Sequence, residues 1–506
     1  MPENIDHIQT IALGPLDHIA SSNIPQSIIY LSLKQGTSPQ DAFNCLREGL
    51  HRTLLQTPWL AGRVHYQSQD APGWRPGQLE IRYTSNAIPS DCPTSAELLR
   101  FNEVDAGVSF ADLREAGFPL DSFDDQALLW TSLFEPDFEA GADVFAAQAN
   151  FVPGGCLLVL SVAPSASDGT AMLTVTKLWA DHCSSLLDQQ KAPVVSRLPF
   201  TTDRALLDTF LREERRRQSS PHPIDHGSAV PQLVGLDATS TQQSSRNDHV
   251  DHAPSAIPND PHSHHMKPSI FYMPQSAYST LRKECIEEFG TANVSGNDLV
   301  CALIFRSIIR ASTSLNAQYV NGARSEVATL ALPFDARPNL TQLLDVLYLG
   351  NINFENRLTI PVTTLVASNT SISWVARAIC AHAESYAHRG ALLDAYELAR
   401  SATKYDSNHR GLCAARMSPA SASVGVFSAM TLPFNDTCFG KHVFGNSGNP
   451  EGFRPLMGSC NRNYRTCFVI PRKKAGGIEF VMTLSEEEMD FLREDDEFSR
   501  YAFSLS

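Results

Sequence analysis

The stretch SVAPSASDGTAML, residues 161–173, concentrates side chains that could do chemistry. An apolar run ends at Pro164, turns through Ser165-Ala166-Ser167, reaches Asp168-Gly169 and passes into a helical pattern. A strand-to-helix corner of this kind can display a nucleophile or an acid-base group. The candidates here are two hydroxyls and one carboxylate, with a proline at the strand exit that can neither give nor take a proton. Ser165 and Ser167 would each need an adjacent base to become nucleophiles, and no G-x-S-x-G elbow surrounds them. Turn serines otherwise bond the local backbone. Asp168 offers charge at the corner, and Gly169 reads as a helix-start glycine needing unusual backbone angles.

Several elements must position that corner. In QDAFNCLREGLHRTLLQ, residues 40–56, Ala42, Leu46, Leu50 and Leu54 recur at steps of four with Phe43 and Leu55 alongside, one apolar stripe of a helix. Pro58 ends it, and Gly62 permits a tight exit toward a strand. DVFAAQANFVPGGCLLVLSVA reads as two strands joined by a Pro-Gly-Gly turn, so the corner lies at the far end of a hairpin. Beyond Gly169, Met172, Val175, Leu178, Trp179 and His182 share a helical face.

Residues 218–265 are rich in Ser, Pro, Asp, His and Gln without sustained periodicity, which predicts a disordered crossover linker. Its histidines, His249, His252, His262, His264 and His265, read as solvated, because a metal site needs fixed geometry. Order resumes with VSGNDLVCALIFRSIIRA, where Ser295 or Asn297 starts a helix, followed by strands in VATLALPFDARPNL and LYLGNINFENRL. The expected division is residues 1–217, the crossover 218–265, and residues 266–506.

At 506 residues the chain exceeds one hydrophobic core, and two domains follow. A net charge of -15 argues against nucleic acid and against an anionic membrane surface as partners. The start MPENIDHIQTIALG lacks a basic n-region and an apolar h-region, and no run is long enough to span a bilayer. Eleven cysteines, never spaced C-x-x-C, predict reduced thiols in a cytoplasmic protein. No metal site is expected.

Six stretches in order, GPLDH (14–18), LREGLHRTLLQTPWLAGRV (46–64), VPGGCLLVLSVAPSASDG (152–169), VSGNDLVCALIFR (294–306), LPFDARPNLTQLLDVLYLGN (332–351) and FSAMTLPFNDTCFG (427–440), resemble the BAHD acyltransferase family. The resemblance is to its fungal branch related to trichothecene 3-O-acetyltransferase, and it runs along nearly the whole chain. It implies an α/β fold of two chloramphenicol-acetyltransferase-like domains with a solvent tunnel between them. It also implies acyl-CoA as co-substrate, with no tightly bound cofactor, and a small-molecule acceptor for a monomeric enzyme.

The family carries H-x-x-x-D-G, whose histidine takes the acceptor's proton. This chain has Pro164 in the histidine's place and keeps Asp168 and Gly169. The resemblance gives Asp168 a bracing role with Arg337 of FDARP as its partner. Where the family shows D-F-G-W-G, the chain has Cys438-Phe439-Gly440-Lys441-His442, a segment taken as structural. FSAMTLP matches an acceptor-lining segment, with Phe427 and Ala429 replacing threonine and tryptophan while Ser428 and Pro433 remain. That predicts an acceptor pocket more apolar on one wall and roomier on the other. Substitutes for the missing base are poorly placed: His182 lies on a buried helix face, His18 and His51 fall in scaffold segments, and His442 acts only if its loop swings inward.

Three functions follow. The first is acyl-CoA-dependent O- or N-acyl transfer to a bulky apolar acceptor in secondary metabolism, slowed by the roughly 10²–10⁴ that a lost general base costs. The second is a repurposed tunnel that guides cyclisation or rearrangement without acyl transfer, by shape and a few hydrogen bonds. The third is a non-catalytic binding protein.

Overall fold

The computed structural model describes residues 8–19, 26–84, 98–105, 107–130, 136–186, 199–218, 230–235, 266–290, 293–315, 327–405, 422–432, 434–456, 465–472 and 476–505. Two mixed sheets organise them. The first has five strands in the order Gly452–Leu456, Gln26–Ser32, Gly155–Val162, Phe145–Val152, Leu99–Glu103.

Its centre is the hairpin read from the sequence, with Val152 opposite Gly155 and every strand residue buried. Burial of both faces explains the unbroken apolar run. Ala147, Ala149, Leu158 and Leu160 enter one core, whereas Ala146, Val152, Leu157 and Val159 enter another on the opposite face with Phe110 and Leu113.

Two long helices cover the first of those faces. The helix Pro39–Gln56 starts on Ser38, whose hydroxyl accepts the Asp41 N–H at 3.1 Å, with Pro39 in the first turn. Ala42, Leu46, Leu50 and Leu54 are fully sealed. Leu55 departs from the expected stripe: one position past Leu54 turns it away from the core, and it is 56% exposed. A Cβ on Gly62 would lie 2.7 Å from the Arg82 carbonyl oxygen, so only glycine lets the chain pass into Arg63–Tyr66. The helix Gly169–Leu186 leaves the corner and packs beside Pro39–Gln56, with Trp179 Nε1 donating to the Leu46 carbonyl at 2.8 Å.

The second sheet has seven strands in the order Asn353–Pro361, Val327–Asp335, Ser423–Ser428, Thr466–Val469, Ile478–Leu484, Lys267–Met273, Phe503–Ser504. Its central helix, Gly296–Leu315, is buried almost all round, as its lack of a polar face implies. Ser295 opens it: Asp298 N–H donates to Ser295 Oγ at 3.1 Å, and Ser295 N–H donates to Asp298 Oδ2 at 2.8 Å.

Two features of the described residues cut across the expected division of the chain. First, Gly452–Leu456 falls within residues 266–506 yet pairs with Gln26–Ser32, closing an edge of the first sheet. Arg454, 1% exposed, fixes the crossing: Nε donates to the Phe118 carbonyl at 3.0 Å and NH1 to Glu479 Oε2 of the second sheet at 2.6 Å. A short parallel pair, Phe200–Thr201 with Leu347–Tyr348, is a second link between the halves. Second, the described part of the crossover includes a short ordered element. Val230–Leu233 forms a helical turn ended by Gly235 at φ +72°, and Leu233 and Val234 bury beside Leu207 and Tyr396. The apolar cluster in AVPQLVG supplies what the polar residues around it lack. The crossover histidines lie outside the described residues. Among the described residues no helix is long and apolar enough to cross a membrane.

Candidate functional site

The strand Gly155–Val162 delivers Ala163, whose N–H donates to the Val144 carbonyl at 2.8 Å, and the chain then turns through Pro164–Ser167. Ala163 through Asp168 are buried. The Pro164 carbonyl accepts from Asn351 Nδ2 at 3.0 Å. Ser167 Oγ donates to the Leu349 carbonyl at 2.8 Å, so that hydroxyl is committed to the backbone.

Ser165 differs. It is 4% exposed and takes part in none of the described hydrogen bonds, yet its Oγ is not among the polar atoms both sealed from solvent and unpartnered. Its hydroxyl therefore keeps contact with accessible space. Gly169 does not need the unusual backbone angles expected of it, because its φ is not positive and a Cβ there would meet nothing within 4 Å. The space beside it is open.

Asp168, fully buried, uses its two oxygens differently. Oδ1 accepts the Ala171 N–H at 3.0 Å, capping the helix. Oδ2 accepts the Ile352 N–H at 2.9 Å and lies 3.0 Å from Arg337 NH1. Arg337 also reaches Asp335 Oδ1 at 2.8 Å, the Tyr348 carbonyl at 3.0 Å and the Gly350 carbonyl at 2.7 Å. Burial alone would pull its guanidinium down, but Asp168 and Asp335 outweigh that and hold it above its ordinary value.

A second brace, which the sequence reading missed, stands beside the first. Arg204, at the start of the helix Arg204–Arg217, donates through Nε to Asp17 Oδ2 at 3.0 Å and through NH2 to the Ala166 carbonyl in the corner at 2.7 Å. Asp17 also accepts from Asn351 Nδ2 at 2.8 Å and from Gly14 N–H at 2.7 Å. Burial opposes the Arg204 charge, and Asp17 restores it, so its affinity for the proton ends above the ordinary value. The signal available beforehand was Asp17 within GPLDH, a stretch with no assigned partner. The two arginines thus hold the corner from two sides, both bonded to carboxylates as buried charge requires.

No described hydrogen bond joins a histidine to residues 164–169. His18 is used up locally: Nδ1 bonds the Gly14 carbonyl at 2.8 Å, Nε2 accepts the Leu79 N–H at 3.0 Å, and the ring stacks on Tyr405 at 3.8 Å. His182 Nε2 meets Gln56 Nε2 at 3.1 Å, His51 is half-buried on its helix, and His442 is exposed. Among the described residues no cluster of three or more His, Cys, Asp or Glu is arranged to hold a metal.

The remaining candidates sit elsewhere. Phe427 and Ser428 end the strand Ser423–Ser428 half-buried, and Ala429 is 4% exposed with its N–H on the Val469 carbonyl. Ser428 Oγ donates to Asn297 Oδ1 at 2.5 Å. No described hydrogen bond or ion pair joins these three to the corner, and Pro433 lies outside the described residues. Cys438, Phe439 and Gly440 pack on the far end of the helix Gly169–Leu186. Phe439 meets Trp179 edge-on at 6.2 Å, Cys438 Sγ donates to the Ser447 carbonyl at 3.3 Å, and Gly440 takes φ +114°.

A cleft of about 740 Å³ is lined by Arg204 together with Trp59, Arg75, Tyr83, Phe200 and Tyr405. Its size suits a small-molecule ligand. Neither residues 164–169 nor residues 427–429 line it, and Arg204 is the group it shares with the corner.

Residues 25–183 match the family model described as the trichothecene 3-O-acetyltransferase-like N-terminal domain. The isocyanide synthase-NRPS hybrid crmA of Aspergillus fumigatus is 26% identical over 518 residues, which cover 98% of this chain. The chain spans only 31% of that protein's length. The acyltransferase cm3D of Cordyceps militaris is 23% identical over 98% of this chain and 96% of its own. Among solved structures, F. graminearum TRI101 crystallised with coenzyme A and T-2 mycotoxin superposes with a TM-score of 0.72 at 19% identity, covering 98% of this chain and all of that one. The two-domain, chloramphenicol-acetyltransferase-like α/β fold is therefore shared along the whole chain.

Proposed function

On the premise that residues 25–183 belong to the trichothecene 3-O-acetyltransferase-like N-terminal domain family, in a chain with that two-domain fold, we propose an acyltransferase-family enzyme of secondary metabolism. It moves an acyl group from acyl-CoA to a hydroxyl or amine of a bulky apolar acceptor, in a tunnel between the domains. The observation that carries this reading is the doubly braced corner: Arg337 on Asp168 and Arg204 on the Ala166 carbonyl. Two buried ion pairs spent on one turn make sense where a reacting group must be held in place. The coenzyme A bound by TRI101 supports the donor class.

In the proposed reaction the acceptor's oxygen or nitrogen bonds to the thioester carbonyl carbon, the carbon–sulfur bond breaks, and CoA leaves as the thiol. The acceptor's proton ends on the leaving sulfur, directly or by way of water, since Pro164 cannot relay it. Positioning supplies the acceleration that remains, with Ser165 Oγ offering a hydrogen bond that does not titrate.

Pro164 itself favours a second reading, in which the same corner orients an unacylated intermediate for cyclisation or rearrangement. Incubation with labelled acyl-CoAs and candidate alcohols or amines separates the two. CoA release above buffer supports transfer. Its absence for every acceptor, with CoA-independent conversion of an intermediate, supports the second reading. Ligand binding with neither reaction leaves a binding protein.

A further inference from the structure

We propose that Cys45 and Cys183 form an oxidative modification site, a thiol pair that peroxide closes into a disulfide between the helices Pro39–Gln56 and Gly169–Leu186. Each thiol points at the other residue's backbone: Cys45 Sγ lies 3.8 Å from the Cys183 carbonyl oxygen, and Cys183 Sγ lies 3.6 Å from the Cys45 carbonyl oxygen. Reciprocal contacts of that length set the two cysteines face to face across the helix pair, the arrangement a disulfide needs before its sulfurs can meet.

Two features hold the helices that close. A Cβ on Gly49 would lie 2.3 Å from Cys183 Sγ and 3.1 Å from its backbone nitrogen, so the glycine makes room for the thiol. One helical turn before Cys183, Trp179 Nε1 bonds the carbonyl of Leu46, the neighbour of Cys45. Cys183 is sealed, and Cys45, 8% exposed, is the side from which a small oxidant enters. The hydrogen bond with the Cys183 thiol lowers Cys45 from its ordinary value, with burial opposing, whereas burial first of all pushes Cys183 up.

The chemistry balances with one peroxide. Cys45 gives up its proton and its thiolate attacks a peroxide oxygen, forming a sulfur–oxygen bond as the oxygen–oxygen bond breaks, and the displaced hydroxide takes up that proton and leaves as water. Cys183 sulfur then attacks the Cys45 sulfenic sulfur, and the hydroxyl departs as a second water with the Cys183 proton. The two sulfurs lose two electrons and the peroxide gains them. The pair sits about 21 Å along the helix from Gly169, so this site stands or falls independently of the acyl-transfer reading.

The test treats the native full chain with hydrogen peroxide, blocks remaining thiols with iodoacetamide, and digests without reductant for mass spectrometry. The expected result is a linked pair of peptides carrying Cys45 and Cys183, two hydrogens lighter than the separate peptides and released by dithiothreitol. The free-thiol count falls by two, and Tm moves upward. Cys45→Ser and Cys183→Ser each abolish the Tm shift; should either misfold by circular dichroism, the linked peptide from the unaltered chain decides alone. Recovery of both cysteines as alkylated thiols, at a peroxide dose that oxidises the half-buried Cys438, overturns the proposal. So does a Cys183–Cys438 link, for which the 3.8 Å contact between Cys438 Sγ and Ser184 Oγ makes Cys438 the natural competitor.

Discussion

Asp168 ties two distant parts of the chain through one carboxylate: Oδ1 caps the helix it begins, 3.0 Å from the Ala171 nitrogen, and Oδ2 faces Arg337 NH1 at 3.0 Å. An amide in its place keeps the cap and loses the charge. Asp168→Asn is therefore expected to destabilise the fold by about 3 kcal/mol, the scale for breaking a buried ion pair from one side. Arg337 keeps Asp335 and two carbonyls, which holds the loss to the low end. Urea denaturation measures it, and a change within error would show that Arg337 needs only Asp335.

Arg204 and Asp17 are coupled more tightly, with side chains 6% and 2% exposed. Arg204→Met leaves the Asp17 carboxylate underpaired and the Ala166 carbonyl without its donor, at a cost of roughly 3–5 kcal/mol. Adding Asp17→Leu removes the stranded charge, so the double variant should be less destabilised than the two singles summed. A double-mutant cycle reads the difference, expected at about 2 kcal/mol. Simple additivity would contradict the brace.

Pro164→His restores a titratable group at the strand exit. Under the acyl-transfer reading, CoA release should rise by about 10²–10⁴, the range a positioned general base supplies. Pro164→Ala, which returns an N–H but no base, should leave the rate unchanged. An equal rise in both variants would trace the gain to backbone relaxation.

Acid should weaken the fold through histidines whose folded values are lowered, His182 and His382 the more buried of them, with His65 a third. Burial is the chief cause lowering His182, with Arg52 adding to it and Asp181 opposing, and burial alone lowers His382. Above the ordinary histidine value of 6.5 both rings are neutral folded or unfolded, and the full stability is present. As pH falls through 6.5 toward the lower folded values, the unfolded chain takes protons first and stability drops. Denaturant midpoints between about pH 8 and pH 5 should decline. The decline should flatten in His182→Gln with His382→Gln; an unchanged slope would place the acid sensitivity elsewhere.

Much of the corner was legible because its information is local. Apolar residues alternating between two cores mark the hairpin, the step-of-four stripe marks Pro39–Gln56, and Ser295 with Asp298 marks a helix start. Pairing Asp168 with Arg337 came from a resemblance to a family, since nothing in the spacing of those two residues encodes their contact. Gly169 was misread because a glycine after an aspartate suggests a strained turn, whereas the Asp168 cap permits ordinary helical angles.

The sequence by itself determined the periodic elements, the proline at the strand exit and the acidic balance, because each depends on residue types within a few positions or on composition alone. Only the tertiary structure decided that Arg204 meets Asp17 across 187 residues, that Gly452–Leu456 closes the first sheet, and that Cys45 faces Cys183. Such pairings follow from the path of the whole chain. Helical and strand periodicity repeats every few residues and carries no record of which distant segment will be its neighbour.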